Sequence, residues 1–233
     1  MKLIKTIKNF LFPVHCLGCN KKGDYLCPDC LNKITLISHN FCPKCLKISS
    51  NGRLCPNCKN SSFPVEKIII SLYYSNPLVA ELIKKYKFFP FAYELAKPLG
   101  LLLSKAIKET NALSYLQKEN FKIIPVPLTK KDKAKRGFNQ TYELAKIVSH
   151  ELNLPISENT IFKIKTTKPQ VGLNAQQRKN NLKNAFQVKK NLNQENFLII
   201  DDIITTGSTV YQVAKTLKNK GANQIWAAIL AKG

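Results

Sequence analysis

Long apolar runs are missing from this 233-residue chain. None approaches the roughly 20 residues that a membrane-spanning helix needs, which excludes an integral membrane protein. The periods of collagen, coiled coils and repeat arrays are also absent. Acidic residues are scarce, at 14 Asp+Glu against 37 Lys+Arg, for a formal charge of +23. A field of that sign draws phosphates, nucleic acid or anionic lipid, and does not choose among them. Both parts of the chain share it: residues before 65 carry ten bases and two acids, the rest 27 bases and 12 acids. Cysteine is absent after residue 58, and all eight cysteines fall into four Cys-x-x-Cys pairs with none left over. A disulfide-stapled secreted chain seldom shows that regularity. Lys2, Lys5 and Lys8 interrupt the first apolar residues, so the stretch lacks the continuous apolar core of a secretion signal. The expected compartment is reducing and cytoplasmic. What is present, 44% hydrophobic and 22% charged residues, is enough for one domain of about 150 residues and a small module.

Three parts are expected. In residues 1–13, Leu3, Ile4, Ile7, Phe10 and Leu11 fall on one helical face and the lysines on or near the other, giving a basic amphipathic helix. We read it as packing on the module that follows, with a membrane-surface helix as the alternative. Residues 14–60 hold the cysteines among Lys, Asn, Gly and Pro, too apolar-poor to bury a core alone. Ser61–Pro64 reads as a linker. Residues 65–233 alternate between the two periods. Strands are expected at 67–74, 121–124, 197–200 and 224–230, and helices at 77–86, 92–108, 139–152 and 208–218. Residues 165–175 are polar and aperiodic and read as a mobile loop. The fold class is α/β: a parallel twisted sheet with helices on both faces, plus a small cysteine-rich module.

The pairs are Cys16/Cys19, Cys27/Cys30, Cys42/Cys45 and Cys55/Cys58. Two thiolates two residues apart meet one metal from a single knuckle, and two knuckles complete a tetrahedral four-thiolate site suited to Zn²⁺. Eight thiolates therefore serve two structural zinc ions. The short gaps favour sequential sites, Cys16, Cys19, Cys27, Cys30 and then Cys42, Cys45, Cys55, Cys58, while a cross-braced pairing stays open. Redox chemistry uses one such pair at a helix start after a strand, which four tandem pairs do not fit. An iron–sulfur cluster remains a rival. His15 beside Cys16 reads as a bystander.

The segment Phe197–Thr209 runs from an apolar strand into Asp201-Asp202, then two isoleucines, then Thr-Thr-Gly-Ser-Thr before a helix. Ligands of open α/β sheets bind at the carboxyl ends of strands. A hydroxyl- and glycine-rich turn at a helix N-terminus is an anion site, and two carboxylates beside it suit hydroxyl groups. Phosphate at one end and a diol at the other describe a ribose 5-phosphate. The plainer reading, a strand end and a helix cap, leaves two adjacent carboxylates without a reason.

This segment resembles the signature of type I phosphoribosyltransferases at all thirteen positions. The resemblance implies that Asp201 and Asp202 hold the ribose hydroxyls of phosphoribosyl pyrophosphate (PRPP), as the residues at the reacting sugar, and that Thr205, Thr206, Gly207, Ser208 and Thr209 hold its 5′-phosphate. Pro125-Val-Pro127, Arg136-Gly-Phe-Asn-Gln140, Lys168-Pro-Gln170, Leu173, Arg178, Asn181 and Ala185-Phe186 follow one another in an order similar to the ComF family of competence-associated proteins. That family joins a double zinc ribbon to a phosphoribosyltransferase-like domain and is implicated in handling incoming single-stranded DNA during natural transformation. By this resemblance Lys135 and Arg136 lie on the pyrophosphate side with Mg²⁺ bridging, and Gln170 and Arg178 belong to a loop over the site. Single-stranded DNA is the implied partner. Other competence or recombination proteins, and an inner membrane face met by residues 1–12, are further partners left open. Tyr25, Phe41, Tyr86, Phe88, Phe89 and Phe138 are the aromatics available to stack on bases, or equally to fill a core. Whether the site is catalytic is left open; the alternatives are a nucleobase-salvage phosphoribosyltransferase and a non-catalytic PRPP-sensing regulator.

Overall fold

A computed structural model describes residues 14–88, 92–165 and 182–233. The helix expected over residues 1–13 lies outside them, as does most of the polar stretch 165–175. In chain order the main elements are α1 (Pro28–Asn32), β1 (Lys67–Tyr73), α2 (Pro77–Phe88), α3 (Ala96–Glu109), α4 (Leu113–Lys118), β2 (Lys122–Pro125), α5 (Lys130–Arg136) and α6 (Gln140–Leu152). They continue with β3 (Ile161–Lys163), β4 (Phe186–Val188), β5 (Phe197–Ile204), α7 (Ser208–Lys218) and β6 (Ile225–Lys232).

Four strands form one sheet in the order β1-β6-β5-β2, every neighbouring pair parallel. The central strands β5 and β6 are apolar along most of their length because both faces are covered. Along β5 the side chains alternate: Leu198 and Ile200 join the core under α2, α3 and α6, while Phe197 and Ile199 join the core under α7. An antiparallel hairpin of β3 and β4 lies on the α7 side.

The expected strand at 197–200 runs on to Ile204. Ala231 and Lys232 of β6 supply ladder partners for Ile203 and Ile204, so both carboxylates stand within a paired strand and not beyond its end. The helix expected over 92–108 is divided into a 3-10 turn, Ala92–Leu95, and α3. Pro98 lacks an N–H and fits the first turn of α3, so the α-helix starts beside it. The basic stretch 130–136 is a helix, α5. Thr129 caps it by accepting from the Asp132 N–H at 3.1 Å, and Gly137 ends it with φ 81°.

Helices α3 and α6 cross closely at Gly100, where an added Cβ would stand 2.6 Å from the Ile147 Cβ. Elsewhere in a helix Gly→Ala stabilises by about 1 kcal/mol. Here overpacking reverses the sign, by about 1–3 kcal/mol. Gly100→Ala is therefore expected to lower Tm by roughly 3–10 °C in a thermal melt; an unchanged or raised Tm would contradict this close approach.

The cysteine module shares the sheet's core. Cys16, Leu26, Cys27, Cys30 and Ile34 are buried in the same cluster as Leu82 and Ile83 of α2. The chain after it runs along the outer edge of β1: Ile37 N–H donates to the Ser71 carbonyl at 2.9 Å, and Phe41 bridges Ile68 in antiparallel sense. The module thus covers one of the sheet's two open edges, where unpaired backbone groups would invite another chain.

Candidate functional site

The carboxyl ends of the strands open into a cavity of about 520 Å³. Its walls come from Tyr74 after β1, Lys87 and Phe88 at the end of α2, residues 126–128 after β2, Asp132 and Arg136 of α5, residues 139–141, Lys163, Phe186, and the end of β5 with Thr205 and Thr209.

Asp201 and Asp202 are both buried, at 7% and 8% exposure. Strand alternation sends neighbouring side chains to opposite faces. The Asp201 carboxylate accepts the Asp202 N–H at 2.9 Å, and the Asp202 carboxylate pairs with the Lys87 ammonium at 2.9 Å. Burial, and next the charge of Asp202, push Asp201 up to about 7, while Lys87 and Lys163 oppose the rise. Burial also pulls the Lys163 ammonium below its ordinary range. Two adjacent acids in this floor are thus held by cations from two distant elements. Lys87 is held in place by its surroundings: the fully buried Tyr86 donates its hydroxyl to the Gln140 carbonyl at 2.7 Å, and Gln140 Nε2 donates to the Lys87 carbonyl at 3.5 Å.

After β5 the chain turns through Thr205, Thr206 and Gly207 into α7. Gly207 has φ 73°, the left-handed region that costs other residues energy. Its carbonyl accepts the first helical bond, from Tyr211 N–H at 2.9 Å. The Thr206 and Ser208 hydroxyls lie 2.8 Å apart. Thr205 and Thr209 face the large cavity, and residues 203–210 line a smaller adjoining recess that also touches Asp201. The first-turn N–H groups of α7 have no carbonyl partner within the helix, and its dipole favours an anion there.

Across the cavity, Arg136 donates from Nη1 to Gln140 Oε1 at 3.0 Å, and its guanidinium lies 5.8 Å from the centre of the Phe88 ring. Lys135 is exposed to solvent and is not among the cavity-lining residues. Gln170 and Arg178 lie outside the described residues.

The cysteines form two quartets, Cys16, Cys19, Cys27, Cys30 and Cys42, Cys45, Cys55, Cys58, with all sulfurs of each within 4.8 Å of one another. The grouping is sequential, not cross-braced. Both quartets start with the same knuckle. Cys16 N–H bonds the Lys21 carbonyl and Asn20 N–H bonds that of Cys16; Cys42, Leu46 and Lys47 repeat the pattern at the same offsets. Contacts across knuckles are 3.6 Å for Cys19–Cys27 and 3.7 Å for Cys45–Cys55. A tetrahedron with Zn–S of about 2.3 Å has an edge of about 3.8 Å, so both quartets are consistent with structural zinc.

Residues 7–59 match the double zinc ribbon domain and residues 134–233 the phosphoribosyl transferase domain. Over 226 residues the chain is 32% identical to Competence protein F of Haemophilus influenzae, covering 94% of this chain and 96% of that one. The chain belongs to the ComF family. Other relatives include the DNA utilization protein YhgH of Escherichia coli, 31% identical over 86% of this chain and 88% of that protein. Competence protein ComFC of Bacillus subtilis is 26% identical over 86% of this chain and 81% of that protein. Among the described residues, no helix of this ComF protein is long and apolar enough to cross a membrane.

Lys87, Lys163 and Thr141 line the cavity of this ComF protein although the sequence singled none of them out, and Asn139 and Phe186, which the family pattern named without a role, line it too. Lys87 follows Lys84 and Lys85 on the same helix, and only the packing of Tyr86 decides which lysine meets Asp202. The Thr141 hydroxyl donates to the Val126 carbonyl at 2.6 Å, tying the start of α6 to the segment after β2. Of the six candidate stacking aromatics, Tyr86 and Phe41 are core residues, at 0% and 3% exposure. Phe138 packs on Tyr86, and Tyr25 packs against the core beside Lys85. Phe89 lies outside the described residues, and Phe88 alone among the described five is largely exposed, at 68%.

Proposed function

We propose that the cavity binds PRPP with Mg²⁺ and that the protein uses this site while handling incoming single-stranded DNA in natural transformation. One observation carries the reading. A buried acid pair and a helix N-terminus emerge from one strand end into a single cavity, with Arg136 on the facing wall. Asp201 and Asp202 accept hydrogen bonds from the ribose hydroxyls. The N–H groups and hydroxyls of residues 205–209 hold the 5′-phosphate, and Gly207 gives the turn its left-handed residue. Arg136 and Lys135 meet the pyrophosphate, a planar fork gripping phosphate better than a point charge. Gln170 and Arg178 are assigned to a loop over the site. Asp201 and Asp202 would be the protein's oxygen donors toward Mg²⁺, which would supply neutralisation of the pyrophosphate charge. The carboxylates, all oxygen donors, fit that ion.

The names of the relatives, competence proteins and DNA utilization proteins, support the DNA role. So does the charge, positive both before residue 65 and after it. We assign the protein to the cytoplasm, with residues 1–12 available to an anionic membrane face or to another competence or recombination protein. The test is anisotropy with labelled single-stranded DNA across a salt series, with and without PRPP–Mg²⁺. Binding is expected to weaken steeply with salt and to shift when PRPP is added. Absence of binding near physiological salt would refute the DNA role. A screen for nucleobase-dependent pyrophosphate release would then decide for a salvage enzyme.

A further inference from the structure

Phe88 occupies an unusual place for a large apolar side chain. It is the last residue of α2, two positions after the fully buried Tyr86, yet 68% exposed at the mouth of the cavity. The residue before it, Lys87, is bound to Asp202. The Arg136 guanidinium lies 5.8 Å from the ring centre. Gln140, itself 1% exposed, links the two cationic residues: its Oε1 accepts from Arg136 at 3.0 Å, and its Nε2 donates to the Lys87 carbonyl at 3.5 Å. The ring is therefore presented on rigid supports, beside the acid pair and among cations.

We propose that Phe88 is the seat of an unpaired nucleobase, stacked on the exposed part of its ring at the mouth of the cavity, with Arg136 held against the same ring. The inference rests on the PRPP and single-stranded DNA reading and names what the cavity mouth recognises. Every base offers a π-face, so an aromatic platform accepts any unpaired base, and neighbouring cations hold the phosphates that flank it in a strand. Lys87 and Arg136 line the cavity wall together with Phe88, and the exposed lysines of α5 continue the positive field. A hydrophobic protein partner would find one ring in a basic rim, whereas a base within a strand matches both features. The same chemistry is offered by a free nucleobase, and the experiment separates the two sources.

The experiment uses the full chain with Phe88→Ala and Phe88→Trp, an oligothymidylate of about 12 nucleotides, an abasic oligomer of equal length, and free nucleobases. Phe88→Ala is expected to bind oligothymidylate roughly ten- to hundred-fold more weakly, the loss of one stacked base, while its melting temperature stays at the wild-type value. The abasic oligomer should bind wild type and Phe88→Ala alike. In Phe88→Trp the oligothymidylate should quench the new indole, since the native Trp226 is 3% exposed and contributes a constant background. Quenching by free bases and not by the strand would support the seat and assign it to a free nucleobase. If wild type binds no oligomer, the DNA reading fails, and free-base quenching of Phe88→Trp still supports the seat. The proposal is overturned if neither strand nor free base changes the Phe88→Trp emission, or if oligothymidylate binds Phe88→Ala as tightly as wild type and free bases leave the Phe88→Trp emission unchanged.

Discussion

Asp201→Asn is expected to melt at a higher temperature than wild type at pH 8 and to bind PRPP far more weakly. Burial and the neighbouring Asp202 push Asp201 up to about 7 from its ordinary value of 3.8. The folded state therefore holds this proton more tightly than the unfolded chain does. Its stabilising effect is full below about pH 4 and is lost as pH rises through about 7. Asparagine removes the buried charge, and its carbonyl oxygen still accepts the Asp202 N–H that Asp201 accepts at 2.9 Å. The Tm advantage should accordingly shrink as pH falls and vanish near pH 4. Ligand binding runs the other way. A carboxylate that accepts from a ribose hydroxyl contributes about 1.5–3 kcal/mol, so the substitution should weaken PRPP by roughly ten- to hundred-fold in calorimetry. Wild-type affinity should also fall as pH drops below 7, because the proton must leave Asp201 before the site can accept. Phosphate ionisation near pH 6 is common to both proteins, so the difference between wild type and Asp201→Asn isolates the acid. Equal Tm values at pH 8, or an unchanged PRPP affinity, would refute this account of the acid pair.

Stripping zinc is expected to collapse the sheet along with the ribbons. A structural zinc site contributes about 10–16 kcal/mol in small peptides, comparable with the whole net stability of a domain, about 5–15 kcal/mol. A merely tethered module would lose that stability alone. Here Cys16, Cys27 and Cys30 lie in the core that contains Leu82 and Ile83, and residues 37–41 cover the edge of β1. The expected results are two zinc ions per chain by elemental analysis and, after a strong chelator, loss of the cooperative melt, with aggregation through the uncovered edge. PRPP affinity should disappear in the same titration, since Tyr74 just after β1 lines the cavity. A chelated protein that keeps its Tm and its PRPP affinity would show the module to be independent, and a metal-free native protein would remove zinc from the picture.

Short-range features were legible from the sequence. The knuckles were, because a Cys-x-x-Cys turn brings its two thiolates together without help from the rest of the chain. The α7 turn was, because Gly207 and the hydroxyls that follow Asp201-Asp202 lie within a few residues of one another. Other features depended on partners far along the chain. The strand expected to stop at Ile200 reaches Ile204 because β6 pairs with it. Arg136 stood ahead of Lys135 only for its planar fork, and the capped helix α5 leaves Lys135 exposed and brings Arg136 to the cavity.

By itself, then, the sequence determined the ligand types and the local turns: eight thiolates in four knuckles, two adjacent acids directly after a buried apolar run, and a glycine-hinged helix start. These depend on covalent neighbours and on periodicity, which are read directly from residue order. Only the tertiary structure decided that the quartets are sequential, that Lys87 and not Lys84 or Lys85 meets Asp202, that Phe88 is presented while Tyr86 is buried, and that the ribbons close the edge of β1. One lysine or aromatic differs from the next only in what the packed chain places around it. That packing sums many weak contacts between distant segments, which no local pattern encodes.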